Sequence, residues 1–81
     1  MRPCWYVYLL HCADGTLYCG ATNDLERRMG RHRAGQVKYT RGRLPVEMLW
    51  ADAAGDMSEA LRREWYLKQW PRSAKLILCG P

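Results

Sequence analysis

The sequence has no long apolar run. The longest near its start, Trp5-Tyr6-Val7-Tyr8-Leu9-Leu10, is six residues, against the roughly 20 that a membrane-spanning helix needs. It is also dense in strand-forming types, so neither a signal peptide nor a membrane span is expected, and a cytoplasmic protein follows. No C-x-x-C pair occurs either. Cys4, Cys12, Cys19 and Cys79 are even in number, which in a secreted chain would read as a disulfide framework; without a leader they read as reduced thiols. His11, Cys12, Cys19 and His32 are zinc-binding types, but adjacent His11 and Cys12 point to opposite faces of a strand, which argues against zinc. Repeats, linkers and low-complexity tracts are absent, and the chain reads as one domain over residues 1–81. A domain of this size buries only about 60% of its unfolded surface, so its core is thin. Acid is scarce as well: 8 Asp and Glu stand against 13 Lys and Arg, giving a net charge of +5 and a pI near 9.3. The excess favours a polyanion, nucleic acid rather than a membrane, because neutralising phosphates releases counterions; it also fits a surface that is merely basic for solubility.

What is present begins with a hairpin. Trp5 to Leu10 and Thr16 to Gly20 read as two antiparallel strands around Ala13-Asp14-Gly15. A two-residue Asp14-Gly15 loop would pair Ala13 with Thr16. A three-residue loop with Gly15 in the left-handed region pairs Cys12 with Thr16, Leu10 with Tyr18 and Tyr8 with Gly20. The second register places Tyr8 and Tyr18 on one face, and it is the one expected. Asn23 as N-cap and Glu26 three residues on predict a helix starting at Asp24. Its stripe is Leu25, Arg28, Met29 and His32, with Arg27 and Arg31 beside or outside it. An inward Arg and His are costly unless they snorkel or serve a site.

Gly35 is the expected C′ residue. Residues 36 to 43 then form a basic loop in which Lys38, Arg41 and Arg43 surround Tyr39, joining phosphate-seeking charge to a stacking ring; a solvated loop is the plain alternative. Val46 to Ala51 fits a third strand. Gly55 breaks the chain, and Asp56 with Glu59 caps a helix to about Gln69, with Leu61, Glu64, Trp65 and Lys68 on one stripe. The local reading of Glu64 is an ion pair with Lys68 at i+4. Pro71 can open a short last helix through Leu78, whose Ala74, Leu76, Ile77 and Leu78 could cover the sheet or the preceding helix. The fold class is therefore α+β, a three-stranded antiparallel sheet with three helices in the order β-β-α-β-α-α.

The strand Tyr6-Val7-Tyr8, the strand Tyr18-Cys19-Gly20, the helix Asn23 to His32 with Arg28, and the late helix carrying Glu64 together resemble the GIY-YIG endonuclease domain. The likeness is to a small, stand-alone bacterial branch of that family and runs over nearly the whole chain. It implies an endonuclease that hydrolyses phosphodiester bonds, in DNA repair or processing, with DNA as the partner and one Mg²⁺ or Mn²⁺. By the same resemblance Tyr8 and Tyr18 are the motif tyrosines, with Tyr8 the group that activates water. Arg28 is then the catalytic arginine, His32 a site histidine and Glu64 the metal carboxylate. The Gly and Ile of the first motif are Tyr6 and Val7 here, and the Ile of the second is Cys19. Some homing and restriction members use a further C-terminal asparagine; the only asparagine here is Asn23, and that role stays empty. A single carboxylate suits a hard cation that keeps most of its waters, and a phenol with a pKa near 10 needs a neighbouring cation to act as a base. Two other classes remain open: a non-catalytic nucleic-acid-binding module on the same fold, and a protein-interaction module anchored by Trp50, Trp65 or Trp70.

Overall fold

The N-terminal run becomes the middle of the sheet. A computed structural model describes residues 4–80. The elements are β1 (Trp5–Cys12), β2 (Leu17–Thr22), α1 (Leu25–Arg33), β3 (Val46–Gly55), α2 (Met57–Gln69) and α3 (Arg72–Leu78), and the sheet order is β2-β1-β3, all antiparallel. A central strand covered on both faces needs a continuous apolar run, not an alternating one. Val7, Tyr8, Leu9 and Leu10 are accordingly all fully buried. Val7 and Leu9, with Cys19 and Ala54, meet Ala60 and Leu67 of α2 on one face. Tyr8 and Leu10 meet Met29 of α1 on the other, with Tyr18 and Leu25 packed alongside.

The hairpin has the expected register. Tyr8 pairs with Gly20 and Leu10 with Tyr18, the Cys12 N–H donates to the Thr16 carbonyl at 2.9 Å, and Gly15 has φ +85°. The loop is fixed by Asp14, whose Oδ1 accepts from the Thr16 hydroxyl at 2.7 Å and the Thr16 N–H at 3.1 Å. Those bonds, and then Arg43 at 2.9 Å, hold the Asp14 carboxyl below its usual range. Gly35 takes φ +74° just past α1, as expected of a C′ residue.

Four expectations need correction. The cap of α1 is Asp24, not Asn23. Its carboxylate accepts from the Arg27 N–H at 3.0 Å, while Thr22 Oγ1 ties the Asp24 N–H at 3.1 Å, and the helix starts one residue later than expected. The third strand runs to Gly55 instead of Ala51, because two bulges let it pair with β1 as far as Trp5. In α2 the Leu61 and Trp65 stripe faces outward: Leu61 is 48% and Trp65 59% exposed, and the buried positions are Ala60 and Leu67. In α3, Leu78 packs against the core while Leu76 and Ile77 stay exposed. The small Ala60 lets α2 approach the sheet, a requirement that helical periodicity alone does not reveal.

Candidate active site

Four side chains from three elements meet above the β1–β2 pair. Gly20 stands opposite Tyr8, and a Cβ there would fall within the Tyr8 ring, overlapping Cζ and the hydroxyl. The missing side chain lets the phenol lie flat across β2. Its hydroxyl is then 3.1 Å from His32 Nε2 and accepts from Arg28 Nε at 3.2 Å. His32 Nδ1 lies 2.7 Å from Thr40 Oγ1. Tyr18 closes the group, its ring 6.2 Å from Tyr8 and 5.2 Å from His32.

The protons in this chain can be placed. Arg28 can only donate, so the Tyr8 oxygen accepts from it and spends its single hydrogen on Nε2. His32 Nε2 is then the acceptor, and Nδ1–H donates to Thr40. Burial, with Arg28 and Arg31 nearby, pushes the His32 pKa down to about 4, so the ring is neutral. Burial pushes the Tyr8 phenol up to about 12, outweighing the bond from Arg28. Tyr8 and His32 are both fully buried, whereas Tyr18 and Arg28 are part-exposed and face solvent for the group.

Thr40 is the residue that the sequence did not single out. It is fully buried in a loop held by bonds from the Thr40 and Arg41 N–H groups to the Val37 carbonyl. No local signal marks it, because its partner lies across the fold. Thr40→Val keeps the shape but leaves Nδ1–H buried without an acceptor. It is expected to cost about 1–3 kcal/mol, measured by urea unfolding, and Thr40→Ser should recover most of that.

His32 also predicts an acid-side stability loss. Its folded pKa is depressed below the unfolded value, so between about pH 6.5 and 4 the unfolded chain binds a proton that the native state does not. Stability is therefore full above pH 6.5 and falls as pH drops towards 4, by at most about 3 kcal/mol. Unfolding midpoints across that window should flatten in His32→Gln.

Glu64 reaches the area from α2, on the opposite face of the sheet. Its backbone carbonyl is 3.9 Å from Cys19 Sγ on β2, and its charge is close enough to oppose ionisation of Tyr8. The carboxylate is mostly shielded and holds the Lys68 ammonium at 2.7 Å, which raises the Lys68 pKa. The i+4 ion pair anticipated from spacing is thus present, on a carboxylate that already gathers positive charge.

The basic loop divides. Lys38 and Arg41 are exposed. Arg43 is bonded to Asp14 at 2.9 Å and to the Tyr39 carbonyl at 2.6 Å. Its guanidinium lies 4.3 Å over the Tyr39 ring, which also packs at 5.3 Å from Tyr18. Arg43 is therefore engaged within the protein, while Tyr39 keeps 44% of its surface exposed. A second basic surface lies on α1: Arg27, Arg28 and Arg31 line a depression with Thr22, Asn23 and Asp24. Among the described residues no group of three or more His, Cys, Asp or Glu side chains gathers as a metal site, the four cysteines are free thiols, and no helix is long and apolar enough to cross a membrane.

A family model described as the GIY-YIG catalytic domain matches residues 4–76. A UPF0213 protein of Streptococcus agalactiae is 50% identical over 72 residues, 88% of this chain and 82% of the relative. One from Halobacterium salinarum is 46% identical over 74 residues, 90% of this chain and 96% of the relative. The solution structure of a UPF0213 protein from Bacillus halodurans superposes with a TM-score of 0.60 at 40% identity, covering 96% of this chain and 88% of that one.

Proposed function

The chain belongs to the GIY-YIG catalytic domain family, and from that premise we propose that it is a metal-dependent endonuclease acting on the phosphodiester backbone of DNA. The observation that carries this reading is the bonded chain Arg28, Tyr8, His32, Thr40. A core aromatic needs one partner for its hydroxyl; here a permanent cation and a neutral imidazole converge on it at the edge of a basic surface.

Arg28 is anchored through Nε, which leaves its terminal N–H groups for a nonbridging phosphate oxygen. Its charge offsets the extra negative charge of the pentacovalent state. Water attacks phosphorus, and Tyr8 takes the water's proton as it passes its own to His32 Nε2. With a pKa of about 12, a free phenolate at neutral pH is costly, and the concerted transfer replaces it with a His32 imidazolium, itself uphill at a pKa of about 4 but less so. Because Tyr8 is fully covered, the entering strand must displace the part-exposed Tyr18 ring to uncover it, with Arg28 staying on the Tyr8 hydroxyl. Tyr18 then orients the water or the phosphate through its hydroxyl. The P–O bond to the leaving oxygen breaks, and that oxygen takes a proton from solvent.

Glu64 fits a hard divalent cation: it is one shielded carboxylate that already holds a cationic group, suited to an ion that keeps most of its waters and takes phosphate oxygens as further ligands. Bound there, Mg²⁺ or Mn²⁺ would supply Lewis-acid polarisation of the scissile phosphate. Lys38, Arg41 and the Arg27–Arg31 surface would hold flanking phosphates without reading bases.

The test is nicking of supercoiled plasmid with Mg²⁺, with Mn²⁺ and with neither. The wild type is expected to nick only with metal, and Glu64→Ala to lose nicking while still binding DNA. Equal nicking by both proteins would remove Glu64 from the reaction. Metal-independent binding without nicking would favour the binding-module alternative.

A further inference from the structure

We infer that the cleft between the edge of β2, the Tyr39 loop and helices α2 and α3 is a phosphodiester subsite in which Lys75 and Lys68 hold the backbone of the substrate strand beside Tyr18. This assignment rests on the nuclease reading above and extends it to a part of the molecule that the reading leaves unused.

The cleft has a volume of about 220 Å³ and is lined by Leu17, Tyr18, Cys19, Tyr39, Lys68 and Lys75. It adjoins the reacting groups on two sides. Tyr18 belongs to both the cleft and the Tyr8–His32 cluster, and Lys68 belongs to both the cleft and the Glu64 carboxylate. A strand held at Arg28 and passing Tyr18 therefore continues into this opening. β2 is the edge of the sheet on this side, so no further strand closes it off.

Charge identifies the ligand. The cleft lining contains two lysines and no carboxylate. The ion pairs among the described residues are Arg43–Asp14, Arg63–Asp52 and Lys68–Glu64, which leaves the half-buried Lys75 with no acidic partner there. The Tyr39 ring, 44% exposed, already carries the Arg43 guanidinium at 4.3 Å and packs at a tilt against Tyr18 at 5.3 Å. The groups that the cleft adds beyond that ring are point charges on flexible stems, which suit a phosphate rather than a base. Lys68 has a conditional part. It is neutralised while it holds Glu64 at 2.7 Å; with that carboxylate bound to a divalent cation, the ammonium would be free for a phosphate in the cleft.

The test uses a fluorescein-labelled oligonucleotide, single-stranded and as a duplex, titrated by anisotropy across a salt series in EDTA. Under those conditions cleavage is off and Lys68 stays with Glu64, so Lys75 is read alone. Lys75→Met is expected to reduce the slope of log K against log salt by about 0.7 to 0.9. Lys75→Arg should restore the slope, and Arg62→Met, on the far side of α2 beside Ala53–Gly55, should leave it unchanged. Thermal melting of each variant verifies that the fold is intact. A wild-type slope in Lys75→Met overturns the subsite, as does an equal loss in Arg62→Met, which would reflect net charge alone. A wild type that binds no oligonucleotide overturns both this assignment and the nuclease reading. A Lys75-dependent slope without plasmid nicking keeps the subsite and refutes only the nuclease.

Discussion

Arg28→Ala is expected to slow single-turnover cleavage by about 10²- to 10³-fold, the usual cost of removing one preorganised electrostatic stabiliser. Affinity should fall far less, since one phosphate contact among several is lost. The split follows from where the guanidinium stands. Its Nε is fixed on the Tyr8 hydroxyl at 3.2 Å, so its outer N–H groups are aimed before the substrate arrives, and they are worth most when charge accumulates on phosphorus. Arg28→Lys separates charge from geometry: an ammonium keeps the charge but cannot bond Tyr8 and clamp an oxygen as a fork. Most of the rate should stay lost. Full recovery by lysine would mean that charge alone matters and that the anchoring on Tyr8 is incidental.

Gly20→Ala is expected to damage both fold and site. The added methyl would overlap Cζ and the hydroxyl of Tyr8, and Tyr8 has nowhere to retreat, being fully buried against Leu10 and Met29. The ring must tilt, stretching its bonds to His32 and Arg28, or β2 must move. Overpacking of this kind costs about 1–3 kcal/mol, and a broken buried hydrogen bond adds a similar amount. Melting should fall by about 10 °C or more in a domain this small, and residual folded protein should be inactive. Tyr8→Phe in the same chain removes the overlapping hydroxyl oxygen, so Gly20→Ala/Tyr8→Phe should melt above Gly20→Ala alone. A Gly20→Ala protein as stable as wild type would show that the ring is not wedged there.

Much of this was legible in residues 5 to 32. The hairpin register followed from three residues, because a three-residue loop with Gly15 in the left-handed region pairs Leu10 with Tyr18 and puts Tyr8 and Tyr18 on one face. The α1 stripe with Met29 and His32 buried followed from spacing. The cap slipped by one residue because Asn23 and Asp24 are both good caps, and what chose between them was the Thr22 hydroxyl holding the Asp24 N–H. Long-range partners were not legible. Nothing near Thr40 signals a bond to His32, and nothing near Arg43 signals Asp14, 29 residues away. In α2, periodicity picked out the larger residues Leu61 and Trp65. The sheet instead accepted Ala60 and Leu67, because a close helix approach needs a small contact residue, a property of the partner surface and not of the helix.

The place of β1 in the middle of the sheet also bears on how the chain comes off the ribosome. Of the three strands described, β1 is made first and pairs with β2, a local contact that closes quickly. Its second edge waits for β3, whose register runs from Cys12 with Val46 to Trp5 with Gly55. The face bearing Val7 and Leu9 waits longer, until Ala60 and Leu67 have emerged. At synthesis rates of about 5–20 residues per second, the nascent hairpin carries an uncovered apolar face and a free edge for several seconds. Released mid-synthesis at about residue 45, the chain should bind a holdase chaperone or aggregate, whereas one released beyond residue 70 should not.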